Sequence, residues 1–298
     1  MNARDGARPG GTPDVGVVIA TRNRADRLAV TLERLLALPE RPRVVVVDNG
    51  STDHTRGLVS TRFPEVDLLA LPRNRGPLAR TAGVRELDTP YVAFSDDDSW
   101  WEPGALRRAA GILDAHPRLG LIAARALVGP GRADDPINAL LASGPLRRTP
   151  GLPGPPVLGF LACAAVVRRR AYLEAGGFHP VLFLVGEEQV LAMDLAARGW
   201  ALAYVPEVVA VHEPSPHRPP ARHRIRVELR NALLTAWLRR PVALALGRTV
   251  RLARAAVRDA DARAALAAAL ARLPAAVAHR RPVPPHVEQA VRALEAAR

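Results

Sequence analysis

Tyr91 to Trp101 reads YVAFSDDDSWW, three adjacent aspartates behind a run with the composition of a buried strand. Carboxylates crowded in this way repel one another and lose hydration, so they need a cation, a run of backbone donors or open solvent. In a strand alternate side chains share a face, which would set Asp96 and Asp98 on one side and Asp97 on the other. Two oxygen donors at the carboxyl end of a parallel strand suit a hard divalent ion that keeps some waters and also meets substrate phosphate. The residues allow one other reading, a solvated acidic turn capping a helix that starts near Pro103. A calcium loop of the helix-loop-helix type is excluded, because Trp101 stands where its sixth position needs glycine.

A further carboxylate, Asp48, closes the β-branched run of VVVVDNGSTD (Val44 to Asp53). An aspartate at a strand end beside a glycine turn can hold a ribose hydroxyl or a base edge, and an ordinary aspartate turn would use the same residues. Some chemistries are missing. The chain has no lysine, so the GxxxxGK[ST] phosphate loop cannot occur, and no GxGxxG follows the first apolar run. ATPase and dehydrogenase readings lose their main support.

These groups have to be positioned by alternating strands and helices. VGVVIATRN (Val15 to Asn23), VVVVDNGSTD, VDLLAL (Val66 to Leu71) and YVAFSDDD read as strands of a mostly parallel sheet. Leu28, Leu32, Leu35 and Leu36 predict a helix stopped by Pro39 and Pro42, and a second helix is expected from about Pro77. A further helix is expected from Pro103 to His116, then a strand in GLIAARALVG. Prolines and glycines crowd 129–159, which reads as a loop. FLACAAVVRR and WALAYVPEVVAVHEP read as strands around a helix at Val190 to Arg198. The alternation implies an α/β fold with helices on both faces of the sheet.

The net charge of +13 would normally suggest an anionic partner. Here all 42 basic residues are arginine in a chain rich in alanine and proline, a compositional bias that weakens the inference. The arginines are spread along the chain and aromatic residues are few, which argues against nucleic acid. Cys163, the one cysteine, excludes an intrachain disulfide and reads as a free buried thiol. Residues 1–13 read as a disordered leader without the apolar core of a signal peptide, and no apolar run reaches the roughly 18 residues of a membrane span. The expectation is a soluble, cytoplasmic protein.

From Pro214 the composition turns to arginine and alanine, giving a helical region over 216–298. Ile225, Leu229, Leu233 and Trp237 lie four apart beside a ridge of Arg222, Arg226 and Arg230. Such a helix can dock its apolar face on the preceding domain, or lie on an anionic membrane surface at its inner face.

Taken in order, the motifs of Val15 to Glu213 resemble those of the family-2 glycosyltransferases. The resemblance implies a GT-A fold over 14–215, with a nucleotide-binding half at 14–128 and an acceptor half at 129–215. It implies an inverting enzyme that uses Mg²⁺ or Mn²⁺ to move a sugar from a nucleotide-diphosphate donor to an acceptor hydroxyl on a glycan, a lipid-linked glycan or a small molecule. VVIATRNR is similar to the opening nucleotide loop, which implies Thr21 and Arg22 near the nucleotide. VVVVDNGSTD is similar to the VVDDGSTD-type segment, placing Asp48 on base and ribose with Asn49 in place of the second aspartate. RNRGPLARTAG is similar to NxGxxxARNxG, implying Asn74, Gly76 and Arg80 around the nucleotide, with Thr81 where asparagine is usual. SDDD resembles the DxD signature: Asp98 as metal ligand, Asp96 on ribose or a metal water, and Asp97 in the nucleotide-sugar site. GGFHPVLFLVGEEQVL resembles the GGF…ED acceptor segment, placing Glu188 as general base behind Glu187, although Val190 and Leu191 depart from ED-x-D-L. His212 in VVAVHEP falls where a third metal ligand is often presented.

Two rival readings compete with this one. A sugar-phosphate nucleotidyltransferase would want a glycine-rich first loop with lysine, which ATRNRADR lacks. A non-catalytic module binding a nucleotide sugar or an anionic polymer would keep the metal corner without turnover.

Overall fold

The computed structural model describes residues 14–214 and 221–297. The leader expected over 1–13 and the junction at 215–220 lie outside the described residues. The first half runs β1 (Val15–Thr21), α1 (Ala25–Leu36), β2 (Val44–Asp48), α2 (Thr55–Arg62), β3 (Asp67–Ala70), α3 (Leu78–Glu86) and β4 (Tyr91–Ser95). It continues through β5 (Ser99–Trp101), α4 (Ala105–Ala115) and β6 (Leu119–Val128). The stretch from 129 to 215 holds β7 (Ala133–Asp134), α5 (Pro136–Ala142), β8 (Ala165–Arg168), α6 (Arg169–Ala175), α7 (Glu187–Ala197) and β9 (Ala201–His212). Five helices follow: α8 (Ala221–Arg239), α9 (Val242–Ala256), α10 (Ala260–Leu270), α11 (Leu273–Ala278) and α12 (Pro285–Ala296).

Among the described residues the strands form one nine-stranded sheet in the order β3-β2-β1-β4-β8-β6-β9-β5, with β7 on the edge of β6. The pairings β3-β2, β2-β1, β1-β4 and β6-β9 are parallel, whereas β8 runs antiparallel between β4 and β6 and β5 runs antiparallel to β9. Both faces are buried, which is why β1 and β2 carry unbroken apolar runs. Val17, Ile19 and Val46 pack with Leu28 and Leu32 of α1 and Leu106 of α4 on one face. Val18, Val45 and Val47 pack with Ala79 and Val84 of α3 on the other. Helix α3 comes so close that a Cβ on Gly83 would stand 2.6 Å from a Val18 methyl and 2.9 Å from one of Val47.

Several local expectations change. The segment 129–159 holds β7 and α5 rather than loop alone; Asp135 caps α5 by accepting from the Ile137 N–H (2.9 Å), and Pro136 opens it. The strand read in FLACAAVVRR is confined to Ala165–Arg168, and arginine and alanine beyond it continue as α6. Helix α4 starts at Ala105 because Gly104 takes φ +84°, and the residues before it form β5. Helix α7 starts three residues before Val190, at Glu187.

In α8 the apolar face docks. Leu233, Leu234 and Leu238 pack with Val181, Leu182 and Val190 at and before α7, and with Leu252, Ala262 and Ala276 of the later helices. Ile225, at the other end, is 45% exposed, and Arg222 and Arg226 lie beside Asp261 of α10 at 3.7 Å and 2.6 Å. Two buried arginines fasten the region. Arg239 meets Asp194 of α7 in a bidentate pair (2.5 and 2.9 Å), and Arg240 meets Glu288 and Glu295 of α12. No helix among the described residues is long and apolar enough to cross a membrane.

Candidate functional site

Parallel register delivers the first side chains. Thr21 pairs with Asp48, and Ile19 with Ser95, so β1, β2 and β4 end side by side and release Arg22, Asn49 and Asp96 at one carboxyl edge. Asp48 is fully buried; it accepts from the Ser51 N–H (3.2 Å) and pairs with Arg56 Nε (2.5 Å). Arg22 Nε donates to the Gly50 carbonyl (3.4 Å), and Asn23 accepts from the Thr52 N–H (2.8 Å), tying the two loops together. Asn49 accepts from the Arg75 N–H (2.7 Å) and donates through Nδ2 to the Gly76 carbonyl (3.0 Å). An aspartate there could not make the second bond, which gives the departure from the usual sequence a physical role. Asn74 accepts from the Gly76 N–H (2.9 Å), and Gly76, at φ +57°, leaves no room for a Cβ beside the Phe183 carbonyl.

The aspartate triplet is a turn between β4 and β5, in which the Ser99 N–H donates to the Asp96 carbonyl (3.2 Å). Its carboxylates fan out. Asp96 forms an ion pair with Arg80. Asp97 accepts from Thr21 Oγ1 (2.9 Å), and its backbone carbonyl accepts from Thr31 Oγ1 (2.9 Å). Asp98 Oδ1 lies 3.3 Å from His212 Nε2, because Ser99 of β5 pairs with His212 of β9. Arg24 stands 4.0 Å from both Asp97 and Asp98. Burial pushes the Asp97 carboxyl up to about 6, Arg24 and Thr21 pull it down, and Asp96 and Asp98 push it up.

One oxygen of Asp96, the Cys163 sulfur and a ring nitrogen of His212 lie within 4.8 Å of one another, close enough to surround an ion. Cys163 is buried and its thiol is raised by that burial. Of these donors the carboxylate and imidazole suit Mn²⁺, whereas the soft, protonated thiol of Cys163 suits neither Mn²⁺ nor Mg²⁺; Mg²⁺ would have to rely on the aspartates of the turn with water.

Arg80 connects this corner to the start of α7. Its guanidinium is buried over the Phe178 ring (5.8 Å to the centroid); burial opposes its charge, and Asp96, Glu187 and Glu188 sustain it. Thr81, next in α3, bonds Tyr172 through its hydroxyl (2.7 Å). Glu187 and Glu188 open α7 behind Gly186 at φ +87°, where the helix dipole favours anions. Glu187 is buried, with Oε2 lacking a hydrogen-bond partner among the described residues, and Glu188 is half-buried. Both carboxyls are raised above the ordinary range, chiefly by burial; for Glu188 the charge of Glu187 adds to it and Arg80 opposes it.

The loop before α7 is set from the C-terminal region. Asn231 of α8 donates to the Val185 carbonyl (2.6 Å) and to that of Leu184, and Val185 is held at φ +70°, costly for a β-branched residue. Sequence reasoning missed Arg24, Arg56, Cys163 and Asn231. Arg24 and Arg56 are the last residues of ATRNR and NGSTDHTR, whereas nothing local marks Cys163 or Asn231. A cavity of about 720 Å³, lined by His116, Leu158, Trp200 and His286, contains no carboxylate and none of these residues. A smaller one of about 330 Å³ borders Asn23, Arg24 and Asp53 at the nucleotide-side loops.

The parallel strand edge and the mixed far half of the sheet are those of a GT-A glycosyltransferase. The chain belongs to glycosyl transferase family 2, whose model matches residues 16–176. It is 42% identical over 106 residues to the succinoglycan biosynthesis protein ExoO of Rhizobium meliloti, covering 35% of this chain and 30% of that protein. It is 27% identical over 252 residues to the N-acetylglucosaminyl-diphospho-decaprenol L-rhamnosyltransferase of Mycobacterium tuberculosis, covering 70% of this chain and 79% of that one. Among solved structures it superposes on the mannosyltransferase PcManGT of Pyrobaculum calidifontis with a TM-score of 0.57 at 22% identity, over 97% of this chain and 81% of that one.

Proposed function

We propose that the protein is an inverting, divalent-metal-dependent glycosyltransferase that moves a sugar from a nucleotide-diphosphate donor to a hydroxyl of a cell-envelope or lipid-linked glycan. The observation that carries this reading is the meeting, around Arg80, of the Asp96, Asp98 and His212 corner with Glu187 and Glu188. The relative named for rhamnosyl transfer to a diphospho-decaprenol-linked sugar supports the acceptor class, and the mannosyltransferase solved with GDP-Man and Mn²⁺ supports the donor and the ion.

In this reading Asp98 and His212 ligate Mg²⁺ or Mn²⁺ and Asp96 reaches the ribose or a metal-bound water. The ion would neutralise charge gathering on the departing nucleotide diphosphate. Asp48 holds base and ribose, with Arg56 fixing its carboxylate; Thr21, Arg22, Asn74 and Gly76 line the nucleotide. Arg80 supplies a fixed positive charge between donor and acceptor sides, and Asp97 braces the turn through Thr21 and Thr31. Glu188 takes the proton of the acceptor hydroxyl as it attacks opposite the leaving group, which inverts the anomeric centre. Its raised affinity for a proton makes it a stronger base than a solvent-exposed carboxylate. Glu187 contributes through its charge.

A panel of nucleotide sugars, scored for nucleotide diphosphate release with and without Mn²⁺ and acceptors, tests the proposal. Asp98→Ala should lose metal-dependent donor binding, and Glu188→Gln should keep donor binding while losing transfer. Full transfer by Glu188→Gln would move the base elsewhere, and metal-dependent donor binding by a wild type that never turns over any donor would favour the binding-module reading.

A further inference from the structure

Helix α9 turns one face to its neighbours and leaves another largely exposed among the described residues. Ala245, Leu252 and Ala256 are buried, the last two in the cluster shared with α8 and α10. Val242, Leu246, Val250 and Val257 are 53%, 51%, 48% and 76% exposed. At about 100° per residue these four fall within a stripe about 80° wide, along the full length of the helix.

Arg251, Arg254 and Arg258 follow next on the wheel, spaced as a helical ridge and exposed. Among the described residues they make no ion pair or side-chain hydrogen bond, unlike most arginines of this region. Most acids of this region are taken: Asp261 by Arg222 and Arg226, Glu228 by Arg224, Glu288 by Arg240 and Arg292, Glu295 by Arg240 and Arg248, while Asp259, next to Arg258, caps α10 by accepting from the Asp261 N–H (2.8 Å). An apolar stripe beside unpaired arginines, on a helix too short and too charged to span a bilayer, is the composition of an interfacial helix.

We infer that α9 is a membrane-contact helix, laying Val242, Leu246, Val250 and Val257 into the headgroup boundary of an anionic bilayer while Arg251, Arg254 and Arg258 meet lipid phosphates. Charge decides the occupant. A second copy packed isologously would set these arginines near their own equivalents, whereas anionic lipid complements them. The sequence points to α8 for this role, yet of its apolar residues Leu229, Leu233 and Trp237 are packed, Ile225 alone of that stripe is exposed, and Arg222 and Arg226 share Asp261. The inference stands apart from the reaction and needs no acceptor.

The test is co-sedimentation of the full chain with phosphatidylglycerol-containing vesicles and with pure phosphatidylcholine vesicles, at low and high salt. Wild type should partition onto the anionic vesicles and leave them as salt rises. Arg251→Ala, Arg254→Ala and Arg258→Ala should each weaken the partition roughly fivefold. Leu246→Asp with Val250→Asp should abolish it, and Val30→Asp, an equally exposed position on α1, should leave it unchanged. Circular dichroism melts confirm that each variant folds. Equal binding by all variants, indifference to lipid charge, or a wild-type dimer dissolved by Leu246→Asp would overturn the assignment.

Discussion

His212 Nε2 lies 3.3 Å from Asp98 Oδ1 across the short antiparallel pairing of β5 with β9. The two are 114 positions apart in sequence: Asp98 sits in the turn after β4 and His212 ends β9. If both hold the ion, losing the imidazole should weaken Mn²⁺ binding by at least the ~10–100-fold that outer-shell changes cost. Electron paramagnetic resonance of free Mn²⁺, titrated against wild type and His212→Ala in the presence of nucleoside diphosphate, measures this. Equal affinity would remove His212 from the ion.

The raised carboxyls at the start of α7 set a pH dependence. A general base works deprotonated, so the acid limb of kcat/KM should lie above the ordinary carboxylate range and rates should rise with pH through it. Arg80→Met removes the charge that holds Glu188 down and should move the limb further up. A limb at the ordinary carboxylate position would argue against Glu188 as the base.

The proton on Glu188 also has a stability counterpart. Because the folded chain holds this proton more tightly than the unfolded chain, stability falls as pH climbs from about 4.5 towards the raised value. Each tenfold difference in proton affinity between the two states is worth about 1.4 kcal/mol. Glu188→Gln escapes the penalty: its thermal midpoint should match wild type at low pH and exceed it increasingly as pH rises. A constant gap between the two melts would contradict the linkage.

Asn231→Ala should be felt at a distance. It strips the donor from the Val185 and Leu184 carbonyls and frees a strained backbone, costing about 1–3 kcal/mol in a urea melt. With the acceptor loop loosened, KM for the acceptor should rise while donor affinity holds. Parallel losses in both would show that Asn231 supports the whole domain.

Asn49→Asp restores the commoner residue and should weaken this protein. The carboxylate cannot donate to the Gly76 carbonyl, so the loop carrying Asn74 and Gly76 loosens and donor affinity falls severalfold, by roughly the net worth of one hydrogen bond. Calorimetry with nucleoside diphosphate checks it.

The nucleotide half was legible because its physics is local. Buried parallel strands write themselves as apolar runs, as β1, β2 and β4 do, and their polar ends fall together by register. The far half was less so. β5 is three residues long and acquires its identity only from β9, while α5 hides its cap among prolines and glycines. The spacing in α8 predicts an amphipathic helix, but its apolar residues gather towards its C-terminal half instead of lying along one full stripe, and which helix keeps an open face depends on Asp261 and on α10, neither visible from α8 alone. Cys163 illustrates the remaining limit, since a lone alanine-flanked cysteine carries no signal until β8 and β9 bring it beside Asp96 and His212.

Arg239 and Asp194 form their buried bidentate pair two turns along α7 from Glu187, joining the helix that begins at Glu187 and Glu188 to the last turn of α8. The place where composition changes is therefore no seam. A graft that exchanged the arginine-rich tail for that of a relative would strand a carboxylate inside the protein, and the alteration would be passed up the helix to the two glutamates. Acceptor choice and tail sequence would then have to evolve together, as one inherited piece.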